Sequence, residues 1–506
     1  MGLYDYTLYS VVKRSANADG NRVAFISGEE RITYRQFLER VDRVACGLSR
    51  NGLKRGDRIG ILALNSLEFI YLYGAAAKIG AIMLPINWRL NAQEIEYILS
   101  DGMPRVFFTG PEFLGLITPL VPKLTFIEKC YTIGGPSGDY LPFMNLMEKA
   151  EDLPEADVPS DDPCVIIYTA AVHGRPRGAT LSHKNLLYAN FEFMYRWRLT
   201  PEDTHVLVMP LFHNFGLCLT LTVLQAGGLT IITPRFDVDL TLKHIQENKV
   251  TLFCEFPPML TNLLDKAQEA NADLSSLRIV LGLDRPEVAR RLEALTGAAF
   301  WAGYAQTETT GFVALAPYFE RLGCAGKPGF SAEVEIMDDW GKLVERGQEG
   351  EIVVRGPMTF KGYWNLEKDN EYTFRYGWHH TGDTGRFDSD GYLWYVGRRA
   401  EKELIKPGGE NVYPAEVEKV ILEHPMVAAA SVIGVPDPQW GEAIKAICVL
   451  KEGARLAESE LIEFVGARIA RYKKPKYVMF VPDLPKNENG MIDREKVKAV
   501  YGMATH

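Results

Sequence analysis

Apolar residues recur in two alternating rhythms along most of this chain. Over residues 41–48 they fall three and four apart, the spacing of one buried helix face, whereas residues 57–62 read as a short buried strand. The helical rhythm returns over 69–77 and the strand rhythm over 81–86. Further strands are predicted at 105–108, 164–167, 206–209, 230–232 and 277–281. Ile32-Thr33-Tyr34-Arg35-Gln36-Phe37 reads as a strand end followed by a helix cap. Strands interleaved with helices imply α/β layers with largely parallel sheets.

The texture changes after about residue 334. Segments 351–355 and 391–396, bounded by Gly and Asp, read as short strands of a smaller, distorted sheet or barrel. The charged stretch 398–403 is a candidate inter-domain linker. Beyond it, helical patterns at 415–422 and 458–469 flank a strand at 430–435, which makes a small α/β unit.

Composition narrows the class. A chain of 506 residues is too long for one ordinary core. Apolar content of 47% with 24% charged residues is that of a folded globular protein and argues against disorder. The net charge is -9 and no long basic run occurs, which argues against a nucleic-acid binder. The basic cluster Arg471-Tyr472-Lys473-Lys474 reads as a solvated helix end in preference to a phosphate-binding patch. Seven cysteines without a CxxC pair suggest neither zinc nor a disulfide framework, but buried reduced thiols in a cytoplasmic protein. The N-terminal residues lack a secretory pattern, and Tyr6 breaks the myristoylation pattern. The apolar stretch 71–85 contains Lys78 and is too short to span a bilayer, so no membrane insertion is expected.

The chemistry lies in a few short motifs. Tyr168-Thr169-Ala170-Ala171-Val172-His173-Gly174-Arg175-Pro176-Arg177-Gly178 follows an apolar strand and precedes a helix near residue 182. Inward backbone N–H groups, cations and a helix N-terminus would suit a polyphosphate, although a surface turn reads the same way in isolation. Gly303-Tyr304-Ala305-Gln306-Thr307-Glu308 places a ring, a hydroxyl and a carboxylate on one turn. Then come Trp378-His379-His380-Thr381-Gly382-Asp383, Gly397-Arg398 and Lys406-Pro407-Gly408-Gly409-Glu410-Asn411.

In this order the motifs resemble the acyl-adenylate-forming superfamily, over about residues 34–492. The resemblance implies an α/β fold. A large N-terminal domain, 1–401, would hold two α/β sheet subdomains plus a distorted β-barrel, and a small mobile α+β C-terminal domain would span 402–506. It implies an AMP-forming acyl-CoA ligase that uses ATP, Mg2+ and CoA on a small-molecule carboxylic acid. Thr169, His173, Gly174 and Arg177 would belong to the phosphate loop. Tyr304 would stack on adenine beside Ala305 and Gln306, Thr307 would meet the AMP phosphate, and Glu308 would hold Mg2+. Asp383 would accept both ribose hydroxyls, assisted by Arg398. His213 would sit near the carboxylate and the pantetheine channel, with Phe215, Gly216, Trp301, Gly303 and Gly311 around the acyl pocket. Lys402 matches the hinge, and Lys406, Gly408 and Gly409 match the segment that meets CoA.

Two places depart from the pattern. Ala170, Ala171 and Val172 stand where the superfamily has Ser, Thr and Gly, and Arg177 stands near its usual Lys. In Asn489-Gly490-Met491-Ile492, Met491 takes the position of the catalytic Lys that bridges the acid and the α-phosphate. A thioether supplies no charge, so the adenylation step is expected to be slow while thioester formation from preformed acyl-AMP survives.

No carrier segment follows residue 506, so CoA is the expected acceptor. A stand-alone adenylation enzyme for a separate carrier protein and a nucleotide-binding pseudoenzyme are the alternatives. The bulk of Trp301, Tyr304 and Phe215 points to a short, branched, cyclic or aromatic acid. A homodimer is left open by the sequence.

Overall fold

The computed structural model describes residues 2–135, 137–148, 153, 156–169, 175–398, 404–487 and 492–503. Among the described residues two large sheets form the body. One carries nine strands, and its central run of Leu229–Ile232, Thr204–Leu207, Leu252–Cys254, Ile279–Leu281 and Ala299–Gln306 is parallel. The other carries eight, with Ile82–Pro85, Arg58–Leu62 and Val106–Thr109 parallel at its centre. Strands buried on both faces must be apolar throughout, which is why these segments read as continuous rather than alternating runs.

Helices fill the space between the layers. Tyr34–Arg50 starts at Thr33, whose side chain accepts the Gln36 N–H while Gln36 returns a bond to the cap. Its Val41 packs against Gly74 of Leu67–Ile79, a helix buried at every position but Glu68. That burial explains an apolar segment that is no membrane span: no helix among the described residues is long and apolar enough to cross a bilayer.

The chain then builds a four-stranded antiparallel sheet from Glu333–Met337, Gly350–Arg355, His379–Phe387 and Leu393–Arg398. The distorted barrel expected here takes this form among the described residues. Past residues 399–403, a long hairpin of Val427–Asp437 and Gly441–Leu450 pairs with Tyr477–Phe480. Pro414–Leu422 and Glu458–Gly466 cover it, and Val417, Val432, Cys448 and Leu461 form a separate core. None of the seven cysteines is in a disulfide, and Cys130 and Cys324 are only partly buried.

Two expectations need correction. The glycine-rich loop does not lead directly into a helix. Arg177–Ser182 pairs antiparallel with Pro163–Thr169, Thr169 facing Arg177, so the loop closes a hairpin. The helix His183–Trp197 begins one strand later, and its N-terminus is capped by Ser182. The second correction concerns Lys473, which is no solvated helix end but a buried ammonium held by Glu94 and Glu416.

Candidate active site

Parallel strands end where their loops open, and here the ends of Leu252–Cys254, Ile279–Leu281 and Ala299–Gln306 open onto one cleft. Phe256 and Gly282 lie just beyond two of these strands, and Gly303 lies within the third. A cavity of about 180 Å3 is bounded by His213, Phe215, Gly303 and Gly311 on the body and by Lys406, Gly409 and Asn411 of the C-terminal unit. Gly303 has a local cause. A Cβ there would come 2.3 Å from the Ala314 carbonyl oxygen of the partner strand.

Asp383 organises the polar end. Tyr304 Oη donates to its Oδ2 at 2.6 Å and Gln306 Nε2 donates to the same oxygen at 2.7 Å. Oδ1 is buried and makes no hydrogen bond, although Arg398 Nε is 3.1 Å away. A carboxylate oxygen kept dry but unbonded is open to a ligand hydroxyl. Burial pushes the Tyr304 hydroxyl well up, and the Asp383 charge adds to this, so the phenol stays protonated. Burial alone would pull Arg398 down, but Asp383 together with Tyr413, Tyr395 and Tyr304 outweighs it and the guanidinium stays charged. The strand leading into Asp383 is held by Glu351. Its carboxylate accepts the Gly382 N–H at 2.8 Å and contacts His380 Nδ1 at 2.8 Å and Arg375 at 3.0 Å.

Glu308 lies in a second polar cavity with Thr169, Arg177, Thr307 and Arg398. Tyr363 Oη donates to Glu308 Oε1 at 2.8 Å. Arg177 lies over the Tyr363 ring, 3.9 Å from its centre, and donates to the same hydroxyl at 3.0 Å. The buried Arg177 Nε has no hydrogen-bond partner. A dry cation beside a carboxylate and hydroxyls suits an anionic ligand with bound cations. Thr307 borders this cavity, the one beside Gly303, and a third that also holds Thr169 and His213.

His213 stands where these spaces meet. Its Nδ1 accepts the Phe215 N–H at 3.1 Å, which caps the helix Asn214–Ala226 and leaves the proton of the neutral ring on Nε2. Burial pulls its pKa down, so the ring is neutral near pH 7. It also borders a larger cavity of about 370 Å3, whose walls include Trp88, Arg235, Phe256, Gly408 and Trp440. Gly408 and Gly409 take φ of +57° and +84° in the left-handed region. Added Cβ atoms would come 2.8 Å from Trp440 and 2.7 Å from Phe256. Lys406 keeps access to cleft solvent yet lies deep among its walls. Burial first, and then Arg398, hold its pKa below the usual lysine value.

Other predicted residues lie elsewhere. Trp301 packs edge-on against Trp197, 6.3 Å between ring centres, and Gly216 sits against the Pro210 carbonyl, where a Cβ would come within 2.4 Å. Neither is among the residues bounding the cavity beside Phe215. His173, Gly174, Lys402 and Met491 lie outside the described residues, as do Ala170, Ala171 and Val172. Sequence reasoning passed over Tyr363, Asn411, Phe256 and Glu351. Only Asn411 carried a signal, its place in the Gly408-Gly409 motif.

Comparison with known proteins gives a consistent picture. Residues 12–364 match the family described as AMP-binding enzyme, and residues 416–491 match the AMP-binding enzyme C-terminal domain. The chain is 35% identical to a feruloyl-CoA synthase of Amycolatopsis sp over 97% of its own length and 98% of that protein's. It is 32% identical to an indoleacetate–CoA ligase of Aromatoleum aromaticum, covering 98% of each. Among solved structures it resembles a double mutant of o-succinylbenzoate CoA synthetase from Bacillus subtilis bound with its product analogue. The TM-score is 0.85 and the identity 29%, over 98% of both chains.

Proposed function

The chain belongs to the AMP-binding enzyme family, and from that premise we propose how it works as an AMP-forming acid–thiol ligase on compact, chiefly aromatic, carboxylic acids. The observation that carries the reading is Asp383 Oδ1, a buried acceptor without a hydrogen bond beside Arg398, whose side chain borders the cavity that also holds Thr307 and Glu308.

In the first half-reaction a substrate carboxylate oxygen attacks the α-phosphorus of ATP. The bond from that phosphorus to the bridging oxygen breaks, and pyrophosphate leaves. Asp383 accepts the ribose hydroxyls, Arg398 pairs with that carboxylate, and the Tyr304 ring, flanked by Ala305 and Gln306, lies along the adenine. Thr307 donates to the α-phosphate. Thr169 and Arg177 face the outer phosphates, and the family pattern assigns His173 and Gly174 to the same loop. Glu308 fits Mg2+, since one hard carboxylate beside threonine hydroxyls would supply part of the oxygen set that magnesium takes together with phosphate. When bound, Mg2+ neutralises phosphate charge.

In the second half-reaction the CoA thiolate attacks the acyl carbon and AMP leaves with the bridging oxygen. The larger cavity between the Trp88 side and the Gly408–Gly409 turn is the path for the pantetheine arm; His213 borders it, and Lys406 borders the adjoining cavity beside Gly303. Residues 402–506 act as a cap that turns on the body around Lys402 between the two steps. The acyl group lies against Phe215, Gly303 and Gly311, with Gly216 and Trp301 shaping the wall from behind. Phe215 and Phe312, ring centres 5.6 Å apart, favour a flat ring over a long alkyl chain.

Met491 in place of the lysine leaves the first step without its bridging cation, so adenylation is the slow step. The test supplies the full-length protein with ATP, Mg2+, CoA and a panel of aromatic, branched and long-chain acids, and in parallel with their synthetic acyl-adenylates. Aromatic acyl-CoA from the adenylates, and more slowly from the free acids, is expected. No thioester from any adenylate would overturn the reading.

A further inference from the structure

Lys473 is an ammonium walled in by protein, with 2% of the residue exposed. It lies in the short turn Arg471–Lys473 of the C-terminal unit. Its Nζ donates to Glu416 Oε1 at 2.6 Å and to Glu94 Oε1. Glu416 opens the helix Pro414–Leu422 of the same unit, whereas Glu94 opens the helix Ala92–Gly102 of the body. Both carboxylates are themselves shielded. Burial disfavours the charge on Lys473, but the two carboxylates outweigh it and hold its pKa above the usual lysine value.

Glu94 is held in place by its own helix. Its Oε2 accepts the Asn91 N–H at 2.9 Å and its N–H donates to Asn91 Oδ1 at 3.0 Å, a capping box. The Asn91 side chain also reaches the Arg468 carbonyl at 2.7 Å, and Arg89 pairs with Glu410. Segment 89–94 of the body thus holds the C-terminal unit at three points. One of them, Glu410, follows Gly409 directly, and Glu416 lies in the helix that begins four positions later.

We propose that Lys473 is a positioning residue for the second half-reaction: clasped between Glu94 and Glu416, it holds residues 406–413 against the cleft while the thiol attacks. This rests on the ligase reading above. An ammonium between two carboxylates is compensated best when both are present. Turning the C-terminal unit removes Glu94 and leaves Glu416, so the clasp favours one orientation without touching a reacting atom.

The test uses Glu94→Gln and Lys473→Met in the full-length chain. Gln keeps a side-chain acceptor for the Asn91 cap while removing the charge, which separates the clasp from helix stability. Transfer from synthetic 4-hydroxycinnamoyl-adenylate to CoA is measured directly, and ATP–pyrophosphate exchange is measured in a Met491→Lys background. Transfer is expected to fall at least tenfold while exchange stays within twofold. Hydrogen exchange over 405–413 should rise with Val427–Asp437 unchanged. Unaltered transfer, an equal fall in both half-reactions, or unaltered hydrogen exchange at 405–413 would overturn the clasp. If the unsubstituted chain transfers nothing from any acyl-adenylate, the ligase reading itself fails. The hydrogen-exchange result still reports on whether Lys473 holds the loop.

Discussion

Tyr304 and Asp383, 79 positions apart, meet through a 2.6 Å hydrogen bond from the phenol to Oδ2. This contact ties the strand Ala299–Gln306 of one sheet to the strand His379–Phe387 of another, and it leaves Oδ1 facing Arg398 alone. Asp383→Asn should therefore act twice. AMP affinity is expected to fall on the order of tenfold to a hundredfold in calorimetry. The protein should lose roughly 3 kcal/mol of stability, because Arg398 is left beside a neutral amide. Tyr304→Phe removes one hydrogen bond and should cost only about 1 kcal/mol.

Met491→Lys restores a cation where the first step needs one. ATP–pyrophosphate exchange should rise by roughly a hundredfold to a thousandfold, about 3–4 kcal/mol of barrier. Transfer from preformed acyl-adenylate to CoA should change little. An exchange rate unmoved by the lysine would remove Met491 as the cause of slow adenylation.

Gly409→Ala addresses the thiol side of the cleft. Its φ of +84° disfavours any side chain, and the new methyl would meet the Phe256 ring at 2.7 Å. Strain and overpacking of about 2 kcal/mol should slow acyl transfer on the order of tenfold or more. Because the loop lies away from the ribose, AMP binding by the same variant should hold within about twofold.

Two buried histidines set the acid limit of stability. His183 is pulled down to about 4 and His205 to about 3, both by burial. Above about pH 6.5 both are neutral in the folded and unfolded chain and neither changes stability with pH. As pH falls below that value the unfolded chain gains protons that the folded chain refuses, so stability drops until the folded values are reached. By pH 4 each costs on the order of 3 kcal/mol. Neither ring nitrogen of His205 makes a hydrogen bond. His205→Phe should therefore flatten the fall in the urea midpoint between pH 7 and pH 4.5 without lowering it at pH 7. A profile as steep as that of the unsubstituted chain would show that the loss comes from elsewhere.

Much of this molecule was legible one segment at a time. The strands at 58–62, 82–85 and 106–109, and the helix that Thr33 caps, follow from periodicity and capping chemistry that act over a few residues. The motifs around Tyr304, Asp383 and Gly408 were likewise readable from their clustered ring, carboxylate and glycines, but Tyr304 and Asp383 lie in the strands Ala299–Gln306 and His379–Phe387 and not on the turns expected. The hairpin closed by Thr169 and Arg177 was less visible. Arg177–Ser182 is short, and only pairing with its neighbour makes it a strand.

The sequence alone determined the order of strands and helices, the α/β layering and the chemical types in the cleft, since these depend on spacing and on the nature of each side chain. Tertiary structure decided which charges are dry and what they meet. Lys473 reads as a solvent-facing cation until Glu94, 379 positions away, is brought against it. Trp301 reads as a pocket wall until it turns to Trp197. Burial and ion pairing are properties of neighbours distant in the chain, and no local pattern encodes which of them will arrive.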